Sequence, residues 1–179
     1  EKNLIKEEWV DAGDLTENDM IVYPIPTYEK DIPSITKEDC YIYGVVLGDG
    51  CMNNKDKNGY ISLHKENKKH ILDRAKEYFE SKFISNRVEI SDNTARLYWC
   101  KDVSLPFKYS DVYSNKEKIC NPRWLNLPLN KAKMILKGLV DTDGTKGNEI
   151  VFDSTSYNLI EAVRFICLKL GVLTSGYIR

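Results

Sequence analysis

The chain has 179 residues, of which 42% are hydrophobic, and a formal net charge of −1, enough to bury one ordinary core or two small ones. No apolar run approaches the length of a bilayer-spanning helix and no signal peptide opens the sequence, which speaks against a membrane or secreted class and predicts an intracellular protein, cytoplasmic or nuclear. Cys40, Cys51, Cys100, Cys120 and Cys167 are odd in number, widely spaced and without a Cys-x-x-Cys pair, so they read as core filler rather than a disulfide frame or zinc site.

Charge is unevenly spread. Residues 1–40 hold four lysines and eleven acids, leaving 22 of the 26 basic and 16 of the 27 acidic residues to the rest of the chain. That surplus of positive charge suits a phosphate-rich partner, and a solvated surface accounts for it nearly as well.

Residues 1–26 are expected to form short strands and turns, with Trp9-Val10, Ala12 to Leu15 and Asn18 to Pro24 as the segments. Pro24 to Ser34, with three prolines, is a linker. Thr36 and Asp39 make a capping box ahead of an apolar helix. After a lysine-rich turn at residues 53–59, Tyr60 to His64 alternates as a half-buried strand does. A helix from about Glu66 to Phe83 follows, its stripe of Ile71, Leu72, Ala75, Tyr78 and Phe79 reading as core packing. Arg87 to Ile90 and Ala95 to Cys100 form a hairpin around Asp92-Asn93. Asn130 is placed to cap a second apolar helix through Ala132, Met134, Ile135 and Leu136. Glu149 to Phe152 is a strand, Ser156 begins an amphipathic helix through Leu159, Val163, Ile166 and Leu170, Gly171 ends it, and Gly176-Tyr177-Ile178 opens another strand.

The two apolar helices end alike. Tyr43-Gly44-Val45-Val46-Leu47-Gly48-Asp49-Gly50 is repeated as Lys137-Gly138-Leu139-Val140-Asp141-Thr142-Asp143-Gly144, with 94 residues between the final acids. Gly50 and Gly144 fit as left-handed helix terminators. Gly44 with Gly48, and Gly138 with Thr142, are four apart and share one helix face, so the two backbones can approach closely. A crossing there brings Asp49 and Asp143 side by side at two helix ends whose partial negative charges point the same way. Such a pair repels itself until a cation arrives, and it suits magnesium, which favours carboxylate and water oxygens. An EF-hand over Asp141 to Phe152 fails: Thr145, Lys146 and Phe152 stand where a ligand, a glycine and a glutamate are required.

The pair of motifs resembles the LAGLIDADG motifs of homing endonucleases. The second copy matches better; in the first, Leu47 replaces the earlier acid, while the later acid, the family's metal ligand, is present in both. The resemblance implies an α+β fold of two pseudo-symmetric αββαββα subdomains packed through their motif helices, with a β-sheet DNA-binding saddle and the second subdomain truncated. Residues 35–129 form the first subdomain and residues 130–179 the incomplete second. Only 36 residues follow Asp143, so the closing hairpin of the second half is expected beyond Arg179. Glu8 to Leu15, followed by Asp19, Ile21 and Pro24, is similar to the late β-region of an intein splicing domain, so residues 1–34 are read as such a segment plus linker. An intein begins with Cys or Ser and ends in Asn. This sequence runs from Glu1 to Arg179, so splicing is not expected of it as it stands, and His64 and His70 are read as surface or groove residues.

Intein endonucleases place a lysine before a proline-containing segment leading into the next motif helix, and Lys118-Ile119-Cys120-Asn121-Pro122 resembles that element. A lysine there can lower the pKa of a metal-bound water or stabilise the phosphorane. Lys116 and Lys101 are local rivals, and the symmetry mate of Lys118 is expected beyond Arg179. The implied function is site-specific double-strand cleavage of DNA with magnesium or manganese. Asp49 and Asp143 hold the metals, and the carbonyls of Gly48 and Thr142 are further candidate ligands. Outward residues of the saddle read major-groove edges; the candidates are Lys55, Lys57, Tyr60, Ser62, His64, Arg87, Glu89, Arg96, Tyr98, Lys146, Asn148 and Asp153. The protein is expected to be a monomer with internal pseudo-two-fold symmetry, embedded in a host protein before splicing. The other class of answer is a LAGLIDADG protein that binds nucleic acid without cutting it, as an RNA maturase or a regulator.

Overall fold

Thr36 starts the first long helix as its sequence predicts. The Thr36 amide donates to Asp39 Oδ2 at 2.7 Å and the Asp39 amide donates back to Thr36 Oγ1 at 3.1 Å, so two helix-end donors are satisfied reciprocally. In the computed structural model, which describes residues 8–22, 24–53, 58–99, 105–147 and 149–176, this helix is α1 (Lys37–Asp49). It is buried without a break from Asp39 to Leu47, as an almost wholly apolar helix must be.

The chain continues through β1 (Gly50–Met52), β2 (Gly59–His64), α2 (Lys69–Ser81), β3 (Asn86–Ser91) and β4 (Thr94–Trp99). The four strands form one antiparallel sheet in the order β1-β2-β4-β3. Alternation decides its faces. Ile61, Leu63, Ala95, Leu97 and Trp99 point into the core, where Phe79 of α2 stacks on Trp99 with ring centroids 5.2 Å apart. A connecting stretch then holds α3 (Tyr109–Val112), the two-stranded hairpin of β5 (Tyr113–Ser114) and β6 (Glu117–Lys118), and α4 (Pro122–Leu125). It is pinned to α1 through Tyr43, whose ring stacks on Trp124 at 4.1 Å and whose hydroxyl donates to the Asp111 carbonyl.

The second half repeats the plan as α5 (Leu129–Asp143), β7 (Gly144–Lys146), β8 (Ile150–Phe152) and α6 (Tyr157–Lys169). Ser156 caps α6 as expected, accepting from the Leu159 amide at 3.3 Å. Gly171 ends it at φ +73°, with the Gly171 and Val172 amides returning to the carbonyls of Leu168 and Cys167. Helix α5 starts differently from expectation. Its first residue is Leu129, and Asn130 is not its cap. The Leu129 amide instead donates to Glu29 Oε1 at 2.8 Å, and Lys131 pairs with Asp31 at 2.5 Å. The cap comes from the segment preceding α1.

Two further expectations change. The described leader residues 8–22 and 24–34 form a 3-10 turn at Ala12–Asp14 and no strand, because a strand is stable only when a neighbour takes up its amides and carbonyls. Residues 172–176 are not a strand either, and Tyr177 and Ile178 lie outside the described residues.

Small residues set the crossing of α1 and α5. A Cβ added to Gly44 would lie 2.2 Å from the Ile135 carbonyl oxygen, and one added to Gly138 would lie 2.4 Å from the Tyr41 carbonyl oxygen. Tyr41 and Ile135 occupy equivalent places in the two copies, so the contact is reciprocal, as a pseudo-two-fold axis requires. An alanine in a helix ordinarily gains about 1 kcal/mol over glycine. Gly44→Ala is expected to do the opposite and lower unfolding free energy in urea titrations by about 3 kcal/mol, since backbone cannot yield as a side chain does. Gly13→Ala, with nothing within 4 Å, is expected to change it by less than about 0.5 kcal/mol.

Candidate metal and nucleic-acid site

Each motif helix runs straight into a strand at its last acid. Gly50 has φ −94° and ψ 160°, and Gly144 has φ −91° and ψ 144°, so neither is the left-handed terminator the sequence suggests. Their need for glycine is steric. As the strand folds back over the last helical turn, a Cβ at Gly50 would lie 2.6 Å from the Val46 carbonyl oxygen, and one at Gly144 would lie 2.5 Å from that of Val140. Both strands begin where a larger residue would displace the acid before it.

The crossing delivers Asp49 and Asp143 to one site. A Cβ at Gly48 would sit 3.3 Å from Asp143 Oδ2, which puts the second acid against the end of the first helix. Burial raises the Asp143 pKa, the nearby Asp49 charge raises it further, and Lys118 and Lys68 oppose the shift. The Thr142 hydroxyl turns inward to its own helix, donating to the Leu139 carbonyl at 2.9 Å. Asp141, two residues before Asp143, serves packing: it accepts from the Tyr41 hydroxyl at 3.1 Å and from Lys137 at 2.5 Å. Its counterpart Leu47 is in the core, so the acid missing from the first copy is not a missing site residue.

Two ammonium groups converge on the acids. Lys118, brought in by the β5–β6 hairpin, donates to the Gly48 carbonyl, while its own carbonyl accepts from Ser156 Oγ at 2.6 Å. Burial lowers its pKa, and the charges of Asp143 and Asp49 pull against that. Lys68, which the sequence reading passes over, donates to Asp49 Oδ2 at 2.7 Å and to the Thr142 carbonyl at 2.5 Å. Gly48 and Thr142 are equivalent positions, so each motif helix presents the same carbonyl to a lysine. A local sign of Lys68 exists: it holds the N-cap place of α2 without capping it, a helix end where positive charge is disfavoured. Lys116 lies in the exposed hairpin turn at φ 69°, and Lys101 lies outside the described residues.

The donor set fits a hard divalent cation. Two carboxylates and two backbone carbonyls are oxygen ligands of the kind magnesium and manganese accept, and two lysines already satisfy part of their demand for positive charge. Among the described residues no group of three or more His, Cys, Asp or Glu side chains could hold a metal, so the oxygens on offer at this place are those of the two acids and the two neighbouring carbonyls.

The solvent-facing side of the sheet gathers seven of the sequence candidates. Its register makes rows of Tyr60, Tyr98 and Arg87, then of Ser62, Arg96 and Glu89, with His64 opposite Thr94 beyond them. Tyr60 and Tyr98 pack at 5.6 Å, Arg87 lies 5.1 Å over Tyr98 and Arg96 lies 5.7 Å over Tyr60. His64 is partly committed, since its Nδ1 accepts from the amides of Glu66 and Asn67. Asp153 is exposed just past β8. Lys55, Lys57 and Asn148 lie outside the described residues, as does the side chain of Lys146 at the end of β7. His70 is exposed in the first turn of α2.

A raised pKa means that the folded chain holds the Asp143 proton more tightly than the unfolded chain, so the ionised acid opposes folding above its folded pKa and ceases to do so as pH falls through it. Asp143→Asn is therefore expected to raise the thermal midpoint at about pH 8, by about 2–4 °C if the relief is about 1 kcal/mol. Its advantage is expected to shrink as pH falls through the folded pKa of Asp143 and to be smallest at about pH 3, below the ordinary aspartate range. Melts at the two pH values check the sign.

Residues 130–179 match the family described as LAGLIDADG-like domain. Over 98% of its length the chain is 28% identical to the ATP-dependent DNA helicase Hel308 of Methanocaldococcus jannaschii, of which it spans 15%. Mesophilic variants of the homing endonuclease I-DmoI superpose with a TM-score of 0.59 at 15% identity, covering 78% of this chain and 79% of theirs. I-DmoI in complex with DNA and calcium gives 0.59 at 16% identity, covering 78% and 74%. A point variant of I-DmoI with its target DNA and manganese gives 0.58 at 16%, covering 78% of each. Among the described residues no helix is long and apolar enough to cross a membrane. With two antiparallel strands following each of two helices that cross at their glycines, the chain has the fold of the homing endonuclease I-DmoI, and its residues 130–179 are similar to the LAGLIDADG-like domain.

Proposed function

We propose that this chain is the nuclease part of an intein-associated homing endonuclease that cuts both strands of a specific duplex DNA site with magnesium or manganese. The observation that carries the reading is the meeting of Asp49 and Asp143 where α1 and α5 end. Two half-buried acids set this close together are a poor structural choice, and a site retains them where they have a cation to hold. Asp49, Asp143 and the carbonyls of Gly48 and Thr142 are the metal's protein ligands. When bound, the metal supplies an acidified water and neutralises charge at the phosphate. Lys118, desolvated and held toward the acids, is placed to move a proton or to stabilise the charge that builds up on the phosphate. The Tyr60, Tyr98, Arg87 and Arg96 face supplies cationic and hydrogen-bonding groups for the DNA major groove, with Ser62, Glu89 and His64 beside them.

The intein assignment draws on two observations. The leader, residues 1–34, exposes Trp9, Met20 and Ile21, side chains that suit a β-domain extending beyond this segment. The helicase match covers nearly all of this chain and a small part of that enzyme, as an insertion within a host protein would. Residues 35–129 and 130–179 then act as the two halves of one monomer, each acid serving mainly one strand.

Incubating the intact protein, rather than residues 1–179 alone, with duplex carrying the uninterrupted host site tests cleavage. Cutting is expected with magnesium or manganese and none with chelator. Asp49→Asn or Asp143→Asn is expected to slow it at least about a hundredfold while DNA binding persists. Lys118→Ala is expected to slow one strand preferentially and leave nicked circles from supercoiled plasmid. Tight DNA binding with no cutting under any metal would replace the nuclease reading with that of a binding relic. Affinity is also expected to fall steeply as salt rises, and to survive deletion of residues 1–34. Loss of most affinity on that deletion, with the rest folded, would move the binding surface to the leader.

A further inference from the structure

Lys68 is the charged group at the site that the proposed function leaves without a task. Its ammonium bridges Asp49 Oδ2 at 2.7 Å and the Thr142 carbonyl at 2.5 Å, one oxygen from each motif helix. Those two oxygens belong to the set assigned to the metal, and a divalent cation sharing them needs nearly the same space. The side chain is not there for its own helix. Lys68 makes no cap, and it stands at the positive end of α2, where the macrodipole works against it. Its backbone is anchored nonetheless, with its amide donating to the His64 carbonyl at 3.0 Å and its carbonyl accepting from the Ile71 and Leu72 amides. A fixed root and a long unbranched stem let the charged end change position without moving the fold.

We propose that Lys68 is a built-in counter-ion holding the metal's place: it neutralises Asp49 and joins the two helix ends in the metal-free protein, and it must withdraw for a divalent cation to bind. This rests on the metal reading above. The lysine lets the two acids fold together without metal and makes metal binding an exchange of one cation for another. A withdrawn ammonium remains at the edge of the site, where an incoming phosphate meets it instead of carboxylates alone. Lys118 is not the same device, because it reaches the Gly48 carbonyl from a hairpin fixed by Ser156.

The test is manganese binding to the full chain without DNA, followed by calorimetry or by loss of the free-ion resonance. Lys68→Met keeps the apolar stem and removes the charge, and is expected to tighten binding about tenfold or more, the scale of one charge-assisted hydrogen bond. Lys68→Arg, still cationic, is expected to stay much nearer wild type. Lys69→Met removes the same charge from the same turn, but Lys69 pairs with Asp73 at 2.5 Å away from the acids, so it is expected to change affinity less than about twofold. Circular dichroism verifies folding, and Lys68→Gln stands in if the methionine variant fails to fold. Unchanged or weaker binding by a folded Lys68→Met or Lys68→Gln protein, with binding abolished by Asp49→Asn, overturns the proposal and leaves the metal site standing. Equal tightening by Lys69→Met also overturns it, since general charge would then be the cause. Wild-type binding by Asp49→Asn removes the metal assignment and this proposal together.

Discussion

The closeness of two backbones governs this molecule. Gly44 and Gly138 leave no room even for a methyl group between α1 and α5, and everything at the site follows from that contact. Were the helices held apart by side chains at ordinary packing distance, about 8–10 Å between axes, their C-terminal ends would diverge and the two acids would become ordinary solvated carboxylates. The same contact orders two carbonyls, those of Gly48 and Thr142, and gives both lysines a common target. Packing and electrostatics are opposed here, because the crossing that lets two backbones touch also sets two carboxylates near each other.

The lysines settle that opposition from different directions. Lys118 comes from the stretch between the halves and is mostly withdrawn from water, which makes it a weaker base than an exposed lysine. Lys68 stays partly open to solvent and bridges the two halves. A site built from two acids and two cations can remain nearly neutral in the folded protein and still present groups of either sign. That combination suits chemistry on a phosphodiester, where negative charge must be admitted before it is stabilised.

What the sequence discloses depends on how local the cause is. The Thr36–Asp39 box, the Ser156 cap and the alternation of Tyr60 to His64 are set within a few residues, and each is found as read. The duplicated motif is a longer pattern, yet its spacing alone names the helices that cross and the acids that meet. The misreadings share a different origin. Helix α5 is capped by Glu29, 100 residues away in sequence, and Gly50 is required by the backbone of Val46 rather than by its own torsion angles. Lys68 is a lysine among several in residues 65–69 until tertiary structure sets its ammonium between two helix ends. The leader reads as strands because of short runs such as Met20-Ile21-Val22, and strand pairing needs a partner that local pattern does not supply.

The unequal fate of Leu47 and Asp141 has a consequence for assembly. Across the crossing, Asp141 accepts the Tyr41 hydroxyl, and Tyr41 is matched in α5 by Ile135. A dimer of two α5 halves would bury a pair of Asp141 carboxylates with no phenol to meet them. Two α1 halves would instead set each Tyr41 hydroxyl against a leucine, at about 1–3 kcal/mol for every buried donor left without an acceptor. Each half has become a poor mate for itself and a good one for its neighbour. The crossing is thereby complementary between unlike helices, the acid at this place coming from α5 and the phenol that donates to it from α1.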